Sequence, residues 1–252
     1  TFCNNGIMVV HDKNLSKITH NEDDREFSEV SLDELKKIKY GEFKNGRLAE
    51  FNEILKLIEN SNSEIHALHL KGINQAGEKI DVILNEIKNY PKSVNKLLIF
   101  DVKPEIARYI KIKMPQIKLA PSIAHEYDIE RYNDAVKGTL ISIEDAIKYK
   151  KENLYEWVWL DEWDTKNKNN GEKKLYTKEV FDILRNAGYK IALVTPELHG
   201  TSPGLLGGES HKDAQTKEKL FARIKEILSL NPDAVCTDWP EEVKEMTKEI
   251  QK

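Results

Sequence analysis

Side chains able to do chemistry recur in this sequence directly after short apolar runs. His11 and Asp12 follow residues 7–10, His69 and Lys71 close residues 64–70, and Asp101 follows 96–100. Ser122 follows 117–120, Asp161 and Glu162 follow 157–160, Thr195 to His199 follow 190–194, and Thr237 to Pro240 follow 234–236. An imidazole works as a general acid or base near neutral pH. Four apolar residues run into His11 and Asp12 follows it, which suits that role and also suits a structural histidine. Strand alternation puts His69 and Lys71 on one face and Leu70 on the other. If that face lines a cavity, an imidazole and an ammonium enter it together. A desolvated ammonium needs an anion to meet it, so Lys71 points to a phosphate or carboxylate ligand. The other reading is an exposed strand-end lysine in a chain with 33 of them. Trp157, Trp159 and Asp161 share a face by the same alternation. The rings suit core packing, and Asp161 is the candidate for the site. Asp101, Thr195 and Asp238 each precede a helix or turn, so each is also a candidate N-cap.

The elements that position these residues alternate in kind. The short apolar runs read as strands covered on both faces. Amphipathic stretches lie between them. Residues 50–58 place apolar side chains at 51, 54, 55 and 58, the spacing of one helix face. Residues 79–87 and 177–184 behave alike, with Thr177 as N-cap and Gly188 as the stop. Strand–helix alternation implies a parallel sheet with right-handed crossovers. The expected fold is α/β, a (βα)8 TIM barrel forming one domain over residues 1–252, with site residues at the C-terminal strand ends. An open doubly wound sheet would show an early glycine-rich phosphate turn, whereas Gly204, Gly207 and Gly208 come late, after residues 190–194. Only seven strands are read, and the shortfall lies at the front. The chain opens at Thr1-Phe2-Cys3 without Met, so the expectation is a barrel whose first strand lies outside this sequence.

Composition narrows the partners. The 252 residues carry 39 basic and 43 acidic side chains, a net charge of −4, which disfavours nucleic acid as a partner. No apolar run approaches the ~20 residues of a transmembrane segment. Cys3 and Cys236 are too few for a disulfide framework. A cytoplasmic location is the first reading, with secreted or periplasmic placement as the alternatives.

Four stretches together resemble the glycerophosphodiester phosphodiesterases. Asn5 to Asp12, followed by Leu15, Lys17 and Thr19, resembles their DG-x-x-VV-x-HD-x-x-L-x-R-x-T stretch. Gly46 to Phe51 resembles R-I-P-T-L-x-E, Leu68 to Lys71 resembles L-x-E-x-K, and Ala234 to Pro240 resembles the closing DG-x-x-T-D-x-P. Their order and rough spacing agree over nearly the whole chain. The resemblance implies a TIM barrel of lipid metabolism that hydrolyses a small phosphodiester, often with Ca²⁺ or Mg²⁺. The substrate's own hydroxyl would attack, giving a cyclic phosphate. It also implies that His11 is a catalytic histidine and Lys71 the phosphate-facing lysine.

The sequence departs from the family in four places. It has no H-R-G, which would supply the first histidine, and no E-x-D. His69 stands where the family has a metal-binding Glu, and nitrogen there suits a hard cation less well than oxygen. Residues 192–199 read ALVTPELH in place of V-x-x-W-T-V-N. The leading expectation is a divergent phosphodiesterase. His11 acts as acid or base, Lys71 steadies the phosphoryl charge, and Asp161, Glu197, His199 and Trp239 line the substrate pocket. His69 touches a divalent cation. One alternative is a barrel that has lost turnover and binds a phosphorylated glycan or lipid head group. Another is a glycosidase-type barrel with Asp161 and Glu197 as its carboxylate pair.

Overall fold

Runs such as Leu97–Phe100 (LLIF), Trp157–Leu160 (WVWL) and Lys190–Val194 (KIALV) have few polar side chains to offer solvent, and they form strands covered on both faces. The computed structural model describes residues 1–12, 14–40, 46–163, 168–169, 171–198 and 211–250. They divide into two compact units, one of Thr1–His66 with Ala76–Leu97 and one of Ala67–Gln75 with Leu98–Lys252.

The parallel strands lie in the second unit, apart from the first residues of two of them, His66 and Leu97, which count with the first. His66–His69, Leu97–Phe100 and Lys118–Ala120 form one three-stranded order. The amide of His66 donates to Lys96 and that of Leu70 donates to Phe100, an advance of four residues on both strands, as parallel pairing requires. A five-stranded order runs Leu140–Ile141, Ser122–Ile123, Trp157–Leu160, Lys190–Val194, Ala234–Cys236, with every pair parallel. Pro121 has no N–H to donate, and it divides the run that links the two orders. Lys118–Ala120 pairs with Leu97–Phe100 on one side of the break, and Ser122–Ile123 pairs with Leu140–Ile141 and Trp157–Leu160 on the other. Helices return the chain between strands: Pro104–Lys113, Glu126–Tyr132, Ile143–Lys150, Lys178–Asn186 and Lys217–Ser229. Thr177 caps the fourth, accepting from the Val180 amide at 3.3 Å, and Gly188 follows it at φ +85°. A short 3₁₀ turn, Gly72–Asn74, follows His66–His69.

The first unit corrects the reading of residues 7–10. Gly6–Val9 is not one of the parallel strands. It pairs antiparallel with Phe2–Cys3 and with Ala49–Glu50. Met8 and Cys3 enter a separate core with Leu15, Ile18, Phe27, Val30, Leu35 and Leu48. Four apolar residues suit either pairing, and periodicity cannot separate the two over so short a run. Helix Phe51–Asn60 buries Phe51, Leu55 and Ile58 and starts with a Glu50–Glu53 capping box. Lys96 Nζ closes its far end, donating to the carbonyls of Ile58, Glu59 and Ser61, where a cation also meets the negative pole of the helix. Helix Gly77–Lys88 buries Ile80, Leu84 and Ile87.

Gly72 shows how closely the chain packs beside the His69 strand end. A Cβ there would stand 2.3 Å from Val136 O and 2.8 Å from Lys137 Cβ. Gly77, five residues on, has nothing within 4 Å of such an atom. Gly72→Ala is therefore expected to destabilise by about 2 kcal/mol and lower Tm by roughly 4–8 °C. Gly77→Ala should be neutral or slightly stabilising. Equal melting shifts by calorimetry would show that the Gly72 contact does not matter.

Candidate active site

Two neighbouring strand ends bring an imidazole and a carboxylate together. His69 Nε2 lies 3.2 Å from Asp101 Oδ2, with the imidazole 36% exposed and the carboxylate 8% exposed. Facing a carboxylate acceptor, Nε2 carries the hydrogen, so Asp101 sets both the tautomer and the direction of the ring. The ring also stacks on Phe100 at 4.7 Å between centroids, and Phe100 stacks on Trp159 at 3.7 Å. The three rings come from the ends of three strands. Asp101 reaches His69 because its backbone takes φ +66°, a left-handed conformation that costs a non-glycine residue. Asp101 is thus no helix cap; the cap position before Pro104–Lys113 is Lys103, with no side-chain bond.

A second group forms where Lys190–Val194 and Ala234–Cys236 end. Glu197 Oε1 accepts from the hydroxyls of Thr195 at 2.6 Å and Thr237 at 2.7 Å, and from the Asp238 amide at 3.1 Å. Glu197 Oε2 is buried and without a hydrogen-bond partner. The Asp238 carboxyl is pushed up by burial and then by Glu197. The Cys236 thiol is pushed up by burial and by both carboxylates. The T-D-x-P stretch therefore works locally as a strap. Thr237 and Asp238 hold Glu197, and the Thr237 hydroxyl accepts from the Trp239 amide at 3.1 Å just before helix Pro240–Ile250.

Beside Asp161, Glu162 turns inward. Its Oε2 accepts from the amides of Leu175 at 2.5 Å and Tyr176 at 3.0 Å, and its Oε1 accepts from Arg223 Nη2 at 2.8 Å. His211 Nε2 stands 3.8 Å from Oε1. Burial alone would raise this carboxyl, but His211, Arg223 and the Tyr176 amide outweigh it and bring it down to about 2. The Tyr176 phenol is pushed up by burial and by Asp161 and Glu162. Its hydroxyl lies 2.6 Å from Val194 O and 3.2 Å from Leu160 O, pinning two adjacent strand ends. Sequence reading did not find Glu162, Arg223 and Tyr176 as a unit, because residues 61 positions apart leave no local signal.

The structure places the other candidates as follows. Lys71 is half-buried, two residues beyond His69 at the start of the 3₁₀ turn. Asp161 is half-buried, and its amide donates to Ile123 O at 2.9 Å. Trp239 packs edge-on against Phe221, and Lys217 Nζ sits 4.1 Å from the centre of its ring. His199 lies outside the described residues. His11 belongs to the first unit, with its side chain 80% exposed and Nδ1 4.0 Å from Asp12. Among the described residues, no three His, Cys, Asp or Glu side chains gather as metal ligands. Calcium takes six to eight oxygen ligands and magnesium a near-octahedral set. One imidazole already bonded to one carboxylate does not fit either ion, so no step below passes through a metal. No helix among the described residues is long and apolar enough to cross a membrane.

Parallel strands alternating with helices, with polar groups collected at their carboxyl ends, define an α/β fold of the barrel kind. No family model and no curated protein sequence matches the chain. Solved structures do. A Galdieria sulphuraria structure assigned to glycerophosphodiester phosphodiesterase superposes with a TM-score of 0.66 at 15% identity, covering 98% of this chain and 83% of that one. An Oleispira antarctica phosphodiesterase, in complex with the product sn-glycerol-3-phosphate, gives 0.59 at 16% identity, covering 98% and 82%. A glycerophosphodiester phosphodiesterase of Agrobacterium tumefaciens gives 0.56 at 11% identity, covering 98% and 84%. The fold of this chain is that of the glycerophosphodiester phosphodiesterases, a (βα)8 TIM-barrel fold.

The buried Glu162 makes acid stability a direct readout of this frame. Its carboxyl titrates near 2 when folded, against an ordinary value of 4.5. Its contribution, about 3 kcal/mol, is fully present above pH ~4.5 and is lost as pH falls toward ~2. Urea unfolding across that range should show a steeper loss for wild type than for Glu162→Gln. Arg223→Met, which leaves the carboxylate buried and unpaired, should cost about 3–5 kcal/mol at pH 7. Parallel pH dependences for wild type and Glu162→Gln would remove Glu162 from this role.

Proposed function

We propose that this chain hydrolyses phosphodiesters of the glycerophosphodiester type. The observation that carries the reading is the His69–Asp101 pair at a strand end on a fold shared with those enzymes. A carboxylate that fixes an imidazole's tautomer makes it a directional proton carrier. His69 accepts the proton of the glycerol 2-hydroxyl as that oxygen bonds to phosphorus. The bond from phosphorus to the leaving alcohol breaks, and the imidazolium returns the proton to the departing oxygen. The product is a five-membered cyclic phosphate, which water opens with the proton movements reversed. Lys71, two residues beyond His69, steadies the phosphoryl charge. Asp161, Glu197, His199 and Trp239 are proposed to line the substrate pocket. The sn-glycerol-3-phosphate held by the Oleispira protein is what such hydrolysis releases. His11 keeps the acid–base role that the resemblance gives it as the competing assignment.

Two substrates test this reading: glycerophosphocholine, which has the neighbouring hydroxyl, and bis(4-nitrophenyl) phosphate, which lacks it. Each is assayed with Mg²⁺, with Ca²⁺ and with EDTA, so that metal dependence is measured separately. Wild type should cleave the first in preference. His69→Ala should lose roughly 10²–10⁴-fold in kcat, and Lys71→Ala should lose less. Full activity in His69→Ala with collapse in His11→Ala would move the proton transfer to His11. Saturable binding of glycerophosphocholine without turnover in any arm would replace the hydrolase with a binding protein.

A further inference from the structure

Gln75 is uncharged and takes no part in the chemistry above, yet its amide meets three backbone groups of the site. Its Nε2 donates to Leu70 O at 2.7 Å and to Asp101 O at 2.6 Å, and its Oε1 accepts from the Lys103 amide at 2.9 Å. A primary amide offers two N–H donors and one carbonyl acceptor, and both kinds are used here. The three partners are not arbitrary backbone. Leu70 lies between His69 and Lys71. Asp101 carries the carboxylate that faces His69. Lys103 is the cap position of helix Pro104–Lys113.

These contacts fall where the ladder cannot serve. The last pairing bond of the His69 strand runs from the Leu70 amide to Phe100 O at 3.1 Å. Immediately beyond it Asp101 turns to φ +66°, so the next residues leave the strand direction. A left-handed aspartate persists only where its surroundings over-determine it. Gln75 supplies that restraint from outside both strands. It is itself delivered by the 3₁₀ turn Gly72–Asn74, whose first residue is closed in by Val136 O and Thr139 Cγ2.

We infer that Gln75 is a positioning residue. Its side-chain amide ties the strand end bearing His69 and Lys71 to the left-handed turn bearing Asp101, and so holds the His69–Asp101 contact in register. The catalytic consequence rests on the reading of His69 as the proton carrier; the geometric claim does not. Gln75 touches backbone only, so it acts through Asp101 and His69 rather than on substrate. Asp101 presents its carboxylate to His69 Nε2 at 3.2 Å.

The test compares wild type, Gln75→Met, Gln75→Glu and Asp101→Asn. Methionine keeps the length and loses every hydrogen bond. Glutamate keeps the acceptor for Lys103 and places an anion against two carbonyls. Imidazole ¹⁵N shifts of His69 report its tautomer directly. Wild type should show the Nε2–H form held by Asp101, and both Gln75 variants should move toward the mixed signature of Asp101→Asn. Hydrolysis of glycerophosphocholine should fall on the order of tenfold to a hundredfold in kcat, with KM within about threefold. Combining Gln75→Met with Asp101→Asn should add little to Asp101→Asn alone, as groups in one network are not additive. An unmoved His69 signature in a folded Gln75→Met, with only Tm lowered, would make Gln75 a merely structural residue. Should Gln75→Met fail to fold, the same reading is taken from Gln75→Glu. If wild type does not turn over, the hydrolase reading fails, while the ¹⁵N signature still decides the role of Gln75.

Discussion

At Asp101 the backbone turns to φ +66° at the end of Leu97–Phe100, and its Oδ2 lies 3.2 Å from His69 Nε2 on the next strand. A left-handed turn at a non-glycine residue is unfavourable by roughly 1–2 kcal/mol, so something must hold it. The stack of His69 on Phe100 and Phe100 on Trp159 closes one side of the imidazole. The backbone groups around Asp101 are bound from Gln75. Ring, carboxylate and turn therefore form one constraint, and neither strand would satisfy it alone.

Around that constraint, environment separates the acidic side chains by role. Glu162 is buried among donors and kept low enough to stay ionised throughout the neutral range. That suits an anchor between a strand end, residues 175–176 and helix Lys217–Ser229, and it does not suit a group that must take up and release a proton. Asp238 is pushed the other way, by burial and by Glu197. Glu197 gathers three donors on one oxygen, which fixes it firmly. Glu162 and Asp238, near one sheet edge, are thus pushed in opposite directions by their surroundings.

Much of this was legible in the sequence, and the limits are physical. Trp157–Leu160, Lys190–Val194 and Ala234–Cys236 appear at the bounds their apolar runs imply; for Trp157–Leu160 and residues 191–194, burial on both faces leaves an unbroken apolar signature. Gly6–Val9 carries a similar signature and pairs antiparallel, a choice made by partners far along the chain. Leu140–Ile141 is too short for any period to register. At the site, the polar residues after each strand were visible, but their partners were not. Asp101 and Thr195 also read as helix caps, and only the fold shows that one faces His69 and the other Glu197. Gln75 and Arg223 carried no local signal for their long-range partners, Asp101 and Glu162, which lie 26 and 61 positions away.

The position of His69 is where the resemblance and the structure differ most in meaning. The resemblance puts a metal-binding Glu there, and a carboxylate at that point would repel Asp101 unless a cation stood between them. An imidazole removes the repulsion, because its Nε2–H donates to the same carboxylate that a glutamate would oppose. The contact between His69 and Asp101 thus needs no cation between the two side chains. The His69 position, a metal ligand in the resemblance, becomes a donor that faces Asp101. Under the proposed mechanism, Lys71 would give the polar edge its charge complementarity to a phosphodiester, and His69 would carry the proton from a strand end braced by Asp101 and Phe100.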